Sequence, residues 1–383
     1  MKRLTSIAAA LLVIVGNNAI ANNNTSIVIQ QGNGNTANPD QSDPTVHDNL
    51  IVQTQIGNSN TSTATQTTNT NGSSAFLTQI GSLNTVTSTQ QDGTTTSTVI
   101  ATQAGNNNTL DFLQGDATLS SATIIQGGEM NSAVVNQNDD INGGIILINQ
   151  QGNSNDIFLD QLQRVDSSIS IVHQIGDSNF VNFDQDRDVT TSLASVSQVG
   201  SSNSASMEQD EVVTSSIAII GQNGTSNFGD IEQEGDQGAV VSSVAVVVQT
   251  GDSNTGRVDQ EATTSSTSQI IQSGTSNFAD LDQGNENVPL TTLSSFASLA
   301  QTGTSNTADV DQGISDSVFF SVLIANQIGE LNDVSLSQND TVSSSLIVTQ
   351  IGTSNMETAV QSGTNESISV TQLGTGNMGT HLQ

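Results

Sequence analysis

From residue 24 onward the chain alternates apolar and polar residues in short runs that return at regular intervals. The segment Ser168-Ile169-Ser170-Ile171-Val172-His173-Gln174 is β-branched and alternating, Ile175-Gly176-Asp177-Ser178 follows it, and Asn179 to Gln185 alternates again. Strand side chains change face at every residue. Gly and Asp adopt the backbone angles that tight turns require. Each block therefore predicts strand, turn, strand and loop. Outside the first twenty-odd residues no stretch of useful length has helical periodicity.

The blocks are copies of one pattern, Gln-x-Gly-x-x-Asn-x5-Gln. It occurs fifteen times, starting at Gln30, Gln55, Gln79, Gln103, Gln126, Gln150, Gln174, Gln198, Gln222, Gln249, Gln272, Gln301, Gln327, Gln350 and Gln372. Successive starts lie 22 to 29 residues apart, most often 24. Within a copy the spacing never changes, as the glycines Gly57, Gly81, Gly176, Gly200, Gly224 and Gly352, the asparagines Asn179, Asn203 and Asn227, and the closing glutamines Gln185, Gln209, Gln233 and Gln383 illustrate. Length variation falls between copies, which marks a tolerant loop; Pro289 sits in the longest one, where it harms no ladder.

Superimposing the copies decides which face is inside. Two residues before the first Gln, fourteen of fifteen copies are apolar and Gln53 is the exception; six before it, eleven are Ser. Four residues after Asn, twelve are apolar; two after it, small or apolar residues dominate and Glu357 is the misfit. Gln, Asn and Ser thus share a face with aliphatics. That is a poor interior for a globule. It suits a stack of rungs in which each amide lies over an identical amide and hydrogen-bonds along the stack. The predicted fold is all-β: an amyloid-forming parallel β-solenoid with two-strand rungs and two facing parallel sheets. At about 4.8 Å per rung, fifteen rungs give a rod on the order of 70 Å. A single rung cannot bury its inner face alone. The first rung is expected to be irregular, because Pro39 falls on an inward position and Pro44 follows.

The outer faces differ. On the first strand they are often aliphatic (Ile27, Ile29, Ile145, Leu147, Ile169, Ile171, Ile217, Ile219, Val244, Val246, Val248), which fits either plain β-propensity or a lateral contact face. On the second strand they are acidic. One residue before the closing Gln stand Asp160, Asp184, Glu208, Glu232, Asp259, Asp282 and Asp311, with Asp230, Asp280 and Asp309 beside them. Two readings are open: a solvated face that slows premature association, and oxygen ligands for divalent cations.

Composition narrows the function. Of 383 residues 37 are acidic and 5 basic, with no Cys, Trp or Tyr and 10 Phe. This balance argues against nucleic acid or an anionic membrane as partner. The lack of Cys excludes disulfides, thiolate nucleophiles and Cys-ligated metals. Met1-Lys2-Arg3, the mostly apolar run from Leu4 to Val15 and Ala19-Ile20-Ala21 predict a signal peptide over residues 1–21, too short to span a bilayer. The repeat domain is residues 22–383. It keeps only Arg164, Arg187 and Arg257, so its formal charge is 3 − 37 = −34.

Solenoids that stay monomeric carry polar caps. None is recognisable in this sequence, so exposed strand edges are expected to template head-to-tail polymerisation into a cross-β fibre. The copy from Ser192 to Gln209 (Ser192, Gln198, Gly200, Asn203, Ala205 and Gln209 at its fixed positions) resembles the curlin repeat of curli amyloid subunits, and the similarity runs from Asn24 to Gln383. The resemblance implies an extracellular fibre subunit of a biofilm matrix, serving adhesion and cell aggregation. It also implies passage through the periplasm and a dedicated outer-membrane pore, with nucleation by a related minor subunit. The chain departs from that pattern in its number of copies and its lack of Tyr.

The alternative is a monomeric secreted solenoid that binds a surface, as adhesins or ice-binding rods do. Thr-x-Thr occurs at Thr61-Ser62-Thr63 and between Thr98 and Thr102, but not as an evident ladder on successive rungs. An enzyme is not expected and no cofactor is implied. His47, His173 and His381 fall in different copies, and the glycines belong to turns rather than a phosphate cradle.

Overall fold

The computed structural model describes residues 23–235, 238–284, 292–313 and 318–383. The expected signal peptide (residues 1–21) and Pro289 lie outside the described residues. The chain divides into two compact units, Met1–Leu162 and Gln163–Gln383. Among the described residues every regular element is a β-strand.

Each unit is a parallel β-solenoid. In the first, six strands from Thr25–Gln31 to Ile145–Asn153 form one sheet, and six from Thr36–Asp40 to Asp156–Leu162 form the other. The second unit has nine of each, from Ile169–Asp177 to Ser367–Thr375 and from Phe180–Asp186 to Met378–Leu382. We call these the first and second sheets after the order of strands within a copy. Register follows the repeat: Gln79 lies beside Gln103 and Gly81 beside Gly105 in the first unit, and Gln198 beside Gln222 and Gly200 beside Gly224 in the second. On the second sheet Gln209 lies beside Gln233.

Period-two patterning places the core between the sheets. Ala194, Val196 and Gln198 of one strand and Ala205, Met207 and Gln209 of its partner strand are all buried, while Leu193, Ser195, Ser197, Ser204, Ser206 and Glu208 between them are partly exposed. Phe112 and Phe183 are the bulkiest fully buried side chains. The interior is thin and is filled as much by polar side chains, most of them amides, as by apolar ones.

The connection between copies is more ordered than the two-strand reading allows. It contains a third parallel ladder of very short strands, such as Val213–Thr214 beside Val240–Val241 and Thr292–Leu293 beside Val318–Phe319. One residue of each points inward and is buried: Val46, Thr70, Thr94, Ala117, Ile141, Val165, Val189, Val213, Val240, Thr263, Thr292, Val318 and Thr341. All stand nine residues before the next first Gln, so the variable loop is only the stretch between the closing Gln and this anchor.

Two further expectations are corrected. The first rung is regular, since Thr36–Asp40 pairs residue for residue with Thr61–Thr65 and Pro39 stands opposite Ala64. Its strand borders no described strand on its other side, a position that tolerates a missing N–H. At the turn, the left-handed residues are Gly176 at φ 118° and Ser178 at φ 59°, not Asp177. A Cβ on Gly200, at φ 120°, would lie 2.0 Å from the carbonyl oxygen of Gly224 on the next rung. Only glycine fits where turn backbones stack this closely.

Gly200→Ala is therefore expected to destabilise the fold by roughly 3 kcal/mol or more. Gly376→Ala, where φ is 68° and a Cβ would have nothing within 4 Å, should cost about 1 kcal/mol. Denaturant unfolding of the two variants checks the contrast.

Candidate assembly surfaces

Three ladders of side-chain amides run between rungs inside each unit. In the first-Gln ladder each Nε2 donates to Oε1 of the next copy: Gln55 to Gln79 at 2.8 Å, Gln79 to Gln103 at 3.0 Å, Gln198 to Gln222 at 2.8 Å. The chain of bonds includes Gln30, Gln103, Gln126, Gln222, Gln249, Gln272, Gln301, Gln327 and Gln350, and reaches Gln150 and Gln372. Gln174 joins through Gln198 at 2.9 Å. The second amide hydrogen goes to a backbone carbonyl across the core, as from Gln198 to Phe180 at 3.0 Å. This double donation fixes which end of the amide is nitrogen. The closing glutamines form a parallel ladder, with Gln185 to Gln209 and Gln209 to Gln233 both 2.7 Å.

The asparagine ladder runs the other way. Asn203 Nδ2 and backbone N–H both donate back to Asn179 Oδ1 at 3.1 Å, and Asn227 does the same to Asn203. Nδ2 also donates forward to a turn glycine carbonyl, as from Asn203 to Gly224 at 3.0 Å. The serine six residues before the first Gln adds a smaller ladder: its Oγ accepts the next serine's N–H, as Ser192 Oγ does from Ser216 at 3.3 Å.

The misfits have local explanations. Gln53 replaces an aliphatic and donates to Ser62 Oγ at 3.0 Å. Glu357, fully buried, accepts from Gln372 Nε2 at 2.9 Å and pairs with His381 Nδ1 at 2.6 Å, so His381 is not an isolated histidine. Gln383 does not extend the closing ladder. Its backbone pairs with Val360 and Ser362, but its side chain is exposed and bonds Glu366.

The outer face of the second sheet carries the predicted acids in register. In the second unit Asp184 lies beside Glu208, Glu208 beside Glu232, Glu232 beside Asp259, Asp259 beside Asp282 and Asp282 beside Asp311. The neighbouring column holds Asp230, Arg257, Asp280 and Asp309, with the Arg257 guanidinium 5.8 Å from the Phe228 ring centre. Half-buried carboxylates one rung apart resist ionisation. Burial first, then Glu261 and Asp282, pushes Asp259 up to about 9. Burial and neighbouring acids likewise push Glu208 and Asp282 to about 7 and Asp311 to about 6. Burial also raises Asp160, Asp230 and Asp280, opposed at Asp160 by a hydrogen bond from Asn136 and at Asp230 by one from Ser206. Among the described residues no group of three or more His, Asp or Glu side chains is placed to hold one metal ion. Arg187 instead binds Asp210 and Glu211 of the next copy, and Arg164 pairs with Asp188 at 2.7 Å.

One surface was missed in the sequence. On the second sheet of the first unit Thr61, Thr63 and Thr65 lie beside Thr85, Thr87 and Thr89. Thr36 and Thr109 extend the first column on either side. This is a threonine ladder on successive rungs. It is not evident in sequence because the Thr-x-Thr motifs at 61–63 and 98–102 belong to opposite sheets.

Compared with protein-family models and with curated proteins, the chain matches none.

The raised carboxylate pKa values set the sign of the pH dependence. Their unfolded values are about 4, so protonation favours the folded state; this contribution is complete below about pH 4 and is lost as pH rises through 6 to 9. The thermal midpoint should fall between pH 5 and pH 9, and Asp259→Asn should reduce that fall by about 2–4 °C. Calorimetry across this range checks it.

Proposed function

We propose that the chain is a structural subunit that polymerises head to tail into extracellular, curli-like cross-β fibres. The observation that carries this reading is the equivalence of the rungs. Each rung inside a unit presents, in the same register, the amide donors and acceptors that the next requires, and the backbone groups of a parallel strand besides. A rung of one molecule is therefore an adequate partner for a rung of another. Buried amides left without partners cost roughly 1–3 kcal/mol each, which favours continuing the stack over leaving a rung open. The curlin-like repeat supports the same reading and adds its expected setting. There the subunit is secreted through the periplasm and an export pore, nucleated by a related subunit, and deployed for adhesion and cell aggregation in a biofilm matrix.

A second reading, a monomeric surface-binding solenoid, draws on the threonine ladder at Thr61, Thr63, Thr65, Thr85, Thr87 and Thr89. Hydroxyls at strand and rung spacing form a regular polar array suited to an ordered surface.

Dilution of denatured protein lacking residues 1–21 separates the two. A fibre subunit loses solubility, binds amyloid dyes and diffracts at about 4.8 and 10 Å; a β-rich monomer stable for days overturns the proposal. The pair Gln372→Ala and Asn377→Ala, which removes inward amides, should slow elongation about tenfold, the equivalent of about 1.4 kcal/mol. The outward changes Thr371→Ala and Met378→Ala should leave it within about twofold.

A further inference from the structure

The outer face of the first sheet in the second unit is unusual for so acidic a chain. Nine strands each contribute four outward positions before the turn glycine, and none of these positions is Asp, Glu, Lys or Arg. His173 is the one titratable group among them. The face is largely aliphatic at one end, where Ile169, Leu193, Ile217 and Val244 follow one another in register. Exposed Ile175, Ile271, Ile328 and Ile351 spread the apolar surface along the unit. Charge returns only at the rim, at Asp177, Asp252 and Glu330 beyond the glycine. The second sheet's outer face, by contrast, holds nearly continuous carboxylate columns. β-Propensity alone explains the aliphatics but not the exclusion of charge from one face only.

We propose that this face pairs laterally with the same face of a second copy of the chain. Three considerations favour that occupant. A charged partner finds no complement on it, whereas a copy of itself offers an equally uncharged surface with a polar rim. Side by side, two copies of net charge near −34 repel least where their carboxylates are farthest apart. First sheet against first sheet sets the two acidic columns three sheet spacings apart, about 30 Å, against a screening length of about 8 Å. The size also fits: a face roughly 20 Å by 40 Å buries about 1,600 Å² in total, the area of a stable specific interface. The pairing is perpendicular to head-to-tail stacking and does not depend on it.

The test measures mass per length of assembled protein by electron microscopy, or molar mass by sedimentation equilibrium if no fibres form. The wild type is expected at twice the single-chain value. The double variant Ile219→Glu, Val246→Glu should fall to the single value while elongating within about twofold of wild type. A wild type at the single value, or a variant still doubled, overturns the pairing. Because the chain has no cysteine, a mild second probe guards against misfolding. The Ser195→Cys thiol on this face should react with an alkylating agent at least tenfold more slowly in the paired form than in dilute monomer. The Ser335→Cys thiol on the second sheet should react equally in both. Equal reactivity at Ser195→Cys, or doubling without its protection, places the contact elsewhere and refutes the proposal. Failure of the fibre reading would show instead as paired but unpolymerised protein.

Discussion

The structure depends on a buried side-chain amide finding its hydrogen-bond partner in the same residue one rung away. An interior this thin cannot exclude water from a large apolar volume, and 33% hydrophobic residues could not furnish one. The amide ladder answers both difficulties. Each first Gln inside a unit, such as Gln198, uses both donors and its acceptor within the protein, so its burial is offset, and the rung spacing of a parallel sheet brings identical amides within bonding range. The spacing must then be the same at every column. The invariant Gln-x-Gly-x-x-Asn-x5-Gln arises from this, because a one-residue slip would turn every ladder residue outward. The stacked glycines serve the same end, letting turn carbonyls sit where asparagine Nδ2 groups reach them.

Much of this was legible in the residues. Fixed spacing over fifteen copies identified the inward column at Gln198, Asn203 and Gln209, and the acids from Asp184 to Asp311 fell on one outer face as their parity requires. The inward anchor nine residues before each Gln was harder to find. Val213 and Val240 look unrelated when the preceding loop differs in length, and only counting backward from the following glutamine aligns them. Ser178 does not stand out in sequence, because serine is not a usual left-handed residue; at the equivalent position Ser202 the N–H donates to the Asp177 carbonyl of the preceding rung. Glu357 and His381 answer each other across a rung and make sense only as a pair, which no single-copy comparison displays. Gln383 shows the converse: a residue can satisfy the motif and still leave the ladder, its amide bonding Glu366 instead.

The two sheets divide the labour of solubility and contact. Carboxylates on the second sheet's outer face pay for their crowding with raised pKa values, and Asp259, Glu208 and Asp282 make that side sensitive to acidity near neutral pH. The first sheet's outer face has no such charges. A chain whose strands all carried acids would stay soluble and solitary; one whose strands carried none would aggregate from every side. Segregating them leaves one lateral face free of charge.

The opposed senses of the glutamine and asparagine ladders have a geometric consequence. A rung inside either unit sends its glutamine N–H groups and the asparagine oxygen upward to the matching residues, and its glutamine oxygens and the asparagine N–H groups meet their matching residues downward. The upper surface is therefore the negative imprint of the lower and never of itself. Two molecules meeting crown to crown would set hydrogen against hydrogen in both glutamine columns and oxygen against oxygen in the asparagine column. Any stack built on these contacts has an arrow: all its members face one way, and its two tips are chemically different objects.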